Sequence, residues 1–152
     1  MTVQQVQPRK SKVLETVPTD SKIAVEHFRS TLSFETDPSD VYSDLVNKIP
    51  GILVIDARTP ETYAKGHVPS AINLPHGLID ASTTASLPRD RVLVTYCDGI
   101  FCNASTKAAA KLSALGFRVK EMLDGMTGWR REGYPVEETI TDIQGPTSQR
   151  EK

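Results

Sequence analysis

The run Val92-Leu93-Val94-Thr95-Tyr96-Cys97-Asp98-Gly99-Ile100-Phe101-Cys102-Asn103-Ala104 sets the reading of the chain. Its first residues are apolar and β-branched without alternation, the pattern of a strand buried on both faces. The strand ends at Cys97. A short loop with one glycine follows, and a helix is expected from Cys102 to Leu115. Ala104, Ala108, Ala109, Leu112 and Leu115 mark its inner face, and Gly116 caps it. In open parallel sheets, ligands bind beyond the carboxyl ends of the strands, which is where this order puts Cys97. A loop wrapped back toward a helix start aims backbone N–H groups at the sulfur. Those dipoles favour an anion, predicting a lowered thiol pKa and a thiolate nucleophile. Gly99 is expected to supply a positive φ in so tight a loop. A buried structural cysteine at a strand end is the competing reading of Cys97.

Similar punctuation extends outward from this run. Ile52-Leu53-Val54-Ile55 is another doubly buried strand, ending in Asp56-Ala57-Arg58. A short helix from Pro60 to Lys65 stops at Gly66. Ala71–Leu74 and Val119–Leu123 read as further strands, and residues 76–90 as an irregular connection. Upstream, Asp20-Ser21 opens a helix through Phe34, with Ile23, Ala24, Phe28 and Leu32 at helical spacing and a structural His27 beside them. Asp37 caps a second helix whose first residue is Pro38 and which runs to about Asn47. Trp129 falls on a last short helix. Alternating strands and helices imply an α/β fold: a central, mostly parallel sheet with helices on both faces. Four parts are expected: a flexible N-terminal arm over 1–20 with the basic cluster Arg9, Lys10 and Lys12, a helical extension over 21–35, the α/β domain over 36–137, and a polar tail over 138–152.

Composition narrows the function classes. The chain has 152 residues, of which 18 are Lys or Arg and 19 are Asp or Glu. Its net charge of -1 gives no field to gather nucleic acid or coat an anionic membrane. No apolar run approaches the roughly 20 residues of a membrane span. The first residues lack the apolar core of a secretory signal, so a cytoplasmic location is expected. Two cysteines, Cys97 and Cys102, are too few for a disulfide scaffold or a four-cysteine zinc site.

Several motifs together resemble the rhodanese-like sulfurtransferase family. Val54-Ile55-Asp56-Ala57-Arg58 with Glu61 and Tyr63, then Gly66-His67-Val68-Pro69-Ser70-Ala71-Ile72-Asn73-Leu74-Pro75, is similar to the family's first signature. Tyr96-Cys97 falls where the family keeps its catalytic cysteine. Leu115-Gly116-Phe117, Asp124-Gly125-Met126, Trp129 and Gly133-Tyr134-Pro135-Val136 are similar to the closing signature. The Cys-x4-Cys-Asn loop resembles that of one bacterial single-domain subgroup. The resemblance implies that Cys97 takes sulfane sulfur as a persulfide and passes it to a thiophilic acceptor. Asp98, Gly99, Ile100, Phe101, Cys102 and Asn103 would form the loop around it. It implies no metal or organic cofactor, and as partner a small sulfur donor or a persulfide-bearing protein. Oligomeric state stays open.

Three departures shape these expectations. The loop carries no Arg or Lys, and Asp98 beside the nucleophile is expected to raise its pKa and repel dianionic thiosulfate. Ile100 and Phe101 either tuck inward or present an apolar surface to a bulkier donor. Cys102 is either a small residue at the helix start or a resolving thiol for Cys97. Asp124 and Ser70 stand where the family usually has glycine. Arg58 is read as an ion-pair partner of Asp56, or else as a contact for an anionic donor. His67 is expected to tie loops together, and the role of His76 is open. A non-catalytic binding module and a Cys97/Cys102 redox relay are the competing functions. A phosphatase or arsenate reductase would need an Arg at position 103, where this chain has Asn103.

Overall fold

The apolar runs are strands side by side at the centre of one parallel sheet. A computed structural model describes residues 11–139. The elements of the sheet domain are β1 (Glu35–Thr36), α2 (Pro38–Val46), β2 (Ile52–Asp56), α3 (Pro60–Ala64), β3 (Ile72–Asn73), β4 (Val92–Tyr96), α4 (Ala104–Ala114), β5 (Arg118–Met122) and α5 (Gly125–Arg131), preceded by α1 (Ser21–Phe34). The strand order is β1-β5-β4-β2-β3, and every pairing is parallel. The expected α/β architecture is therefore present, with a sheet that is wholly rather than mostly parallel.

Alternation along β2 and β4 builds two cores. Val54, Val94 and Tyr96 face one way, with Val41 of α2 and Met126 and Trp129 of α5. Ile55 and Leu93 face the other, with Ala108 and Leu112 of α4. Trp129 is fully buried, and its indole N–H donates to the Pro135 carbonyl at 2.7 Å. Asp37 caps α2, its carboxylate accepting from the Asp40 N–H at 3.0 Å.

Some expectations are corrected. β1, at the sheet edge, was not foreseen: two residues carry no periodicity, and only pairing with β5 defines them. The helix after the cysteine loop starts at Ala104, not Cys102, because the Cys102 N–H bonds back to the Gly99 carbonyl at 2.9 Å. Asp124 and Ser70 hold φ of 59° and 62°, the left-handed geometry a glycine would take.

The chain divides into two units after Leu32. In the first, a single 3-10 turn (Val13–Glu15) precedes α1. Ile23, Phe28 and Leu32, the expected apolar stripe of α1, are exposed, as is His27, whose ring meets that of Phe28 edge-on at 5.3 Å. The expectations for Arg9 and Lys10 and for most of the C-terminal tail lie outside the described residues. Among the described residues, no helix is long and apolar enough to cross a membrane.

A buried polar knot locks the carboxyl end of the sheet. Asp56 is fully buried and receives the Arg58 backbone N–H at 2.9 Å, its Nε at 3.0 Å and a terminal guanidinium nitrogen at 2.7 Å. The Tyr96 hydroxyl donates to the same carboxylate and accepts from the Val68 N–H at 3.0 Å. Burial opposes the charge on Arg58, but the hydrogen bonds and charge of Asp56, with Asp98, outweigh it and raise the guanidinium pKa. Burial, followed by the charge of Asp56, pushes the Tyr96 phenol up as well. Arg58→Met strands the Asp56 carboxylate, so denaturant unfolding should show a loss of about 3–5 kcal/mol. A loss below about 1 kcal/mol would contradict this assignment.

Candidate active site

Cys97 follows the last residue of β4 at the carboxyl end of the sheet and is 2% exposed. Gly125 explains how closely the chain packs there. It sits at φ +43°, and a Cβ on it would lie 2.1 Å from the Cys97 carbonyl oxygen. Through that gap the Met126 N–H reaches the Cys97 carbonyl at 3.0 Å, and the Thr127 N–H reaches that of Asp98 at 2.8 Å. The start of α5 thus clamps the cysteine loop from behind.

Around the sulfur stand three polar groups, the outermost being the Gly99 carbonyl oxygen at 3.8 Å. Cys97 Sγ lies 2.9 Å from the Cys102 carbonyl oxygen and 3.2 Å from Ser105 Oγ. Ser105 Oγ in turn donates to Glu121 Oε1 at 2.6 Å, and Thr106 Oγ1 donates to the same oxygen at 2.9 Å. A hydroxyl has one proton. Given to Glu121, it is not available to Cys97. Burial, then the contact with the Cys102 thiol, raises the Cys97 pKa, while Ser105 partly offsets this.

This corrects the expectation of an acidified Cys97. The loop amides are present, but they serve the other sulfur. Partial burial opposes ionisation of Cys102. Hydrogen bonds from the Cys97 thiol and from the Ala104 and Asp98 N–H groups nonetheless hold its pKa below the ordinary thiol value. Cys102 and Cys97 line one cavity of about 370 Å³ with Gly99, Ile100, Asn103, Ser105 and Glu121, into which Glu35 and Asp124 also face.

The remaining loop residues divide by direction. Ile100 is 70% exposed and Phe101 fully exposed, so neither tucks inward. With Asp98, Gly99, Cys102, Asp124, Thr127 and Arg131 they shape a shallow, mostly apolar hollow on the outer side of the loop. Gly99 does not take the expected positive φ. A Cβ there would come within 3.0 Å of Thr127 Oγ1, so the glycine serves close approach. Asp98 is turned to Arg58 at 3.0 Å, which answers its charge. Arg58 does not line either cavity: its Nε and both terminal nitrogens are engaged by Asp56, Asp98 and the Gly66 carbonyl. As an anion contact it is spent. Arg131 pairs with Asp124 at 2.8 Å.

Two histidines stand apart from the sulfur. His67 Nδ1 is 2.9 Å from the Tyr63 carbonyl, its ring stacks on Tyr63, and its backbone pairs with that of Glu137. The carbonyl of His76 accepts from Lys111 at 2.7 Å. Ser105 and Glu121 are the site residues that sequence reasoning missed. Glu121 lies 24 positions beyond Cys97 on another strand, and only the β4–β5 pairing brings it near.

Comparisons with known proteins agree with this architecture. The family model of the rhodanese-like domain matches residues 38–132. A sulfurtransferase of Allochromatium vinosum is 36% identical over 86 residues, covering 56% of this chain and 78% of its own. Thiosulfate sulfurtransferase GlpE of Pseudomonas fluorescens is 36% identical over 88 residues, 57% of this chain and 77% of its own. An HTH-type transcriptional regulator of Mycobacterium tuberculosis is 39% identical over 87 residues, but this covers only 38% of that protein and 57% of this chain. Among solved structures, the BH2092 protein of Bacillus halodurans superposes with a TM-score of 0.77 at 43% identity, over 79% of this chain and 88% of that one.

The two thiols should titrate apart. In a pH series of iodoacetamide labelling read by peptide mass, Cys102 should react with a midpoint below the ordinary thiol range and Cys97 with one above it. Glu121→Ala removes the acceptor of the Ser105 proton, and should lower the Cys97 midpoint by about one unit or less. An unmoved or raised midpoint would show that the Ser105 proton is not held by Glu121.

Proposed function

The chain belongs to the rhodanese-like family, and on that premise we propose that it is a sulfurtransferase carrying sulfane sulfur as a persulfide on Cys97. The supporting observation is the placement of Cys97: a thiol at the carboxyl end of a central parallel strand, opening on a cavity, with its peptide clamped by α5. As a thiolate, Cys97 attacks the sulfane sulfur of a donor. A new S–S bond forms, the donor's S–S bond breaks, and the donor's thiolate leaves with the electron pair. An acceptor thiolate then attacks the outer sulfur and returns Cys97 as the leaving thiolate. The Ser105 N–H is placed to support negative charge on Cys97.

The donor we infer is a low-charge persulfide, small or borne by a protein, rather than thiosulfate. Glu35, Glu121 and Asp124 face the cavity, and among the described residues its lining includes no Arg, Lys or His. The exposed Ile100 and Phe101 offer an apolar rim to a bulkier donor. Relatives named thiosulfate sulfurtransferase motivate testing both donors side by side. The apposition of Cys97 with Ser105 and Cys102 favours chemistry at this site over a purely binding role.

Two measurements check this reading. Incubation with a persulfide donor should add one sulfur atom to the intact protein, and Cys97→Ser should abolish the gain; no addition from any donor would overturn the assignment. With thiosulfate, kcat/KM should be the lower of the two and should rise with inert salt, because screening weakens like-charge repulsion across the cavity. A rate falling with salt would mean that a cation recruits the donor.

A further inference from the structure

Sulfur carriage on Cys97 does not require a second thiol in the same cavity, yet one is there. Cys102 ends the loop two residues before α4, with its carbonyl oxygen 2.9 Å from Cys97 Sγ. Cys97 Sγ is thereby held against the Cys102 backbone, and each thiol shifts the ionisation of the other. The Cys102 N–H, bonded to the Gly99 carbonyl at 2.9 Å, fixes the turn that creates this contact. Cys97 is buried and Cys102 half-buried, both are free thiols, and both line one cavity. The Asp98 and Ala104 N–H groups converge on the Cys102 sulfur.

We propose that Cys102 is a resolving thiol, which attacks the Cys97 sulfur of the persulfide, closes a Cys97–Cys102 disulfide and expels the outer sulfur as sulfide. The inference rests on the persulfide reading above and extends it from sulfur transfer to sulfane reduction. The atoms balance within the protein. The Cys102–Cys97 S–S bond forms, and the bond from Cys97 to the outer sulfur breaks. Its electron pair leaves on hydrosulfide, which takes up the proton that Cys102 gives up. The sulfane sulfur is reduced and the two cysteine sulfurs are oxidised, so the persulfide itself is the oxidant. Two external thiols, small or on a protein, reset the disulfide.

Geometry favours attack at the inner sulfur. Residue 102 lies against Cys97 Sγ, its carbonyl oxygen 2.9 Å away, and that sulfur becomes the inner one once a donor has loaded the site. Thiol–disulfide exchange is fastest when the attacking thiol titrates near ambient pH, and the amides around Cys102 move it in that direction. Holding the two sulfurs together makes the step unimolecular, so it competes with an acceptor that must diffuse in. Without an acceptor the loaded enzyme would discharge as sulfide rather than hold its persulfide.

The test uses the full, reduced chain and glutathione persulfide freed of excess thiol, with no acceptor added. Wild-type protein should gain one sulfur transiently, then end two hydrogens lighter than it began, releasing one sulfide per chain. Cys102→Ser and Cys102→Ala should still load one sulfur, hold it, and, measured from the loaded state, release sulfide at least about tenfold more slowly than wild type. Cys97→Ser should neither load nor release sulfide. A wild-type persulfide that persists, with no disulfide and no sulfide, overturns the resolving role while sulfur carriage stands. Failure of wild type and both Cys102 variants to load would instead remove the persulfide reading and this inference with it. The two Cys102 variants, each shown folded by its unfolding midpoint, separate loss of the thiol from damage to the loop.

Discussion

A charged carboxylate with no exposure to water organises the carboxyl end of this sheet. Asp56 closes β2, and everything near it is arranged to satisfy it. Arg58 folds back onto it two residues later, Tyr96 reaches across from β4, and the Asn73 amide of β3 binds the carbonyls of Asp56 and Arg58. An ion pair of this kind stabilises little relative to apolar packing, but losing one partner is costly. Its effect is therefore to specify geometry: β2, β3, β4 and the Gly66–Val68 turn can be assembled in one relative arrangement, in which every polar atom of the knot has a partner.

That arrangement positions the thiol. Tyr96, a member of the knot, directly precedes Cys97, and Asp98 directly follows it and pairs with Arg58. The nucleophile is thus held between two residues tied to the same guanidinium–carboxylate pair. From behind, α5 donates to the carbonyls of Cys97 and Asp98 through the gap left by Gly125. The loop beyond is then free to turn its backbone toward Cys102 and its apolar side chains outward. The cation that might have drawn an anionic donor is consumed in building the scaffold, which leaves the cavity to carboxylates.

Much of this was legible in the chain itself, because the signals were local. Ile52–Ile55 and Val92–Tyr96 are apolar without alternation, as strands covered on both sides must be. Asp37-Pro38 and Gly116 mark helix ends by chemistry that needs no tertiary context. The position of Cys97 between strand and helix followed from their order alone. What could not be read lacked a local cause. β1 exists only as the partner of β5. Gly99 packs tightly on Thr127, 28 residues on, where a Cβ would come within 3.0 Å of the threonine hydroxyl. Ser105 and Glu121 join Cys97 because α4 and β5 pack beside β4.

The sequence by itself determined the α/β layering, the strand that presents Cys97, and the lack of a basic residue in its loop. These depend on side-chain type and period, which are properties of neighbouring residues. Only the tertiary structure decided which sulfur receives the loop amides, where the one proton of Ser105 goes, and that Arg58 is spent on Asp56 and Asp98. Those outcomes turn on distances of about 3 Å between residues far apart in the chain, because hydrogen bonds and ion pairs are short-ranged and directional in a way that spacing along a sequence is not.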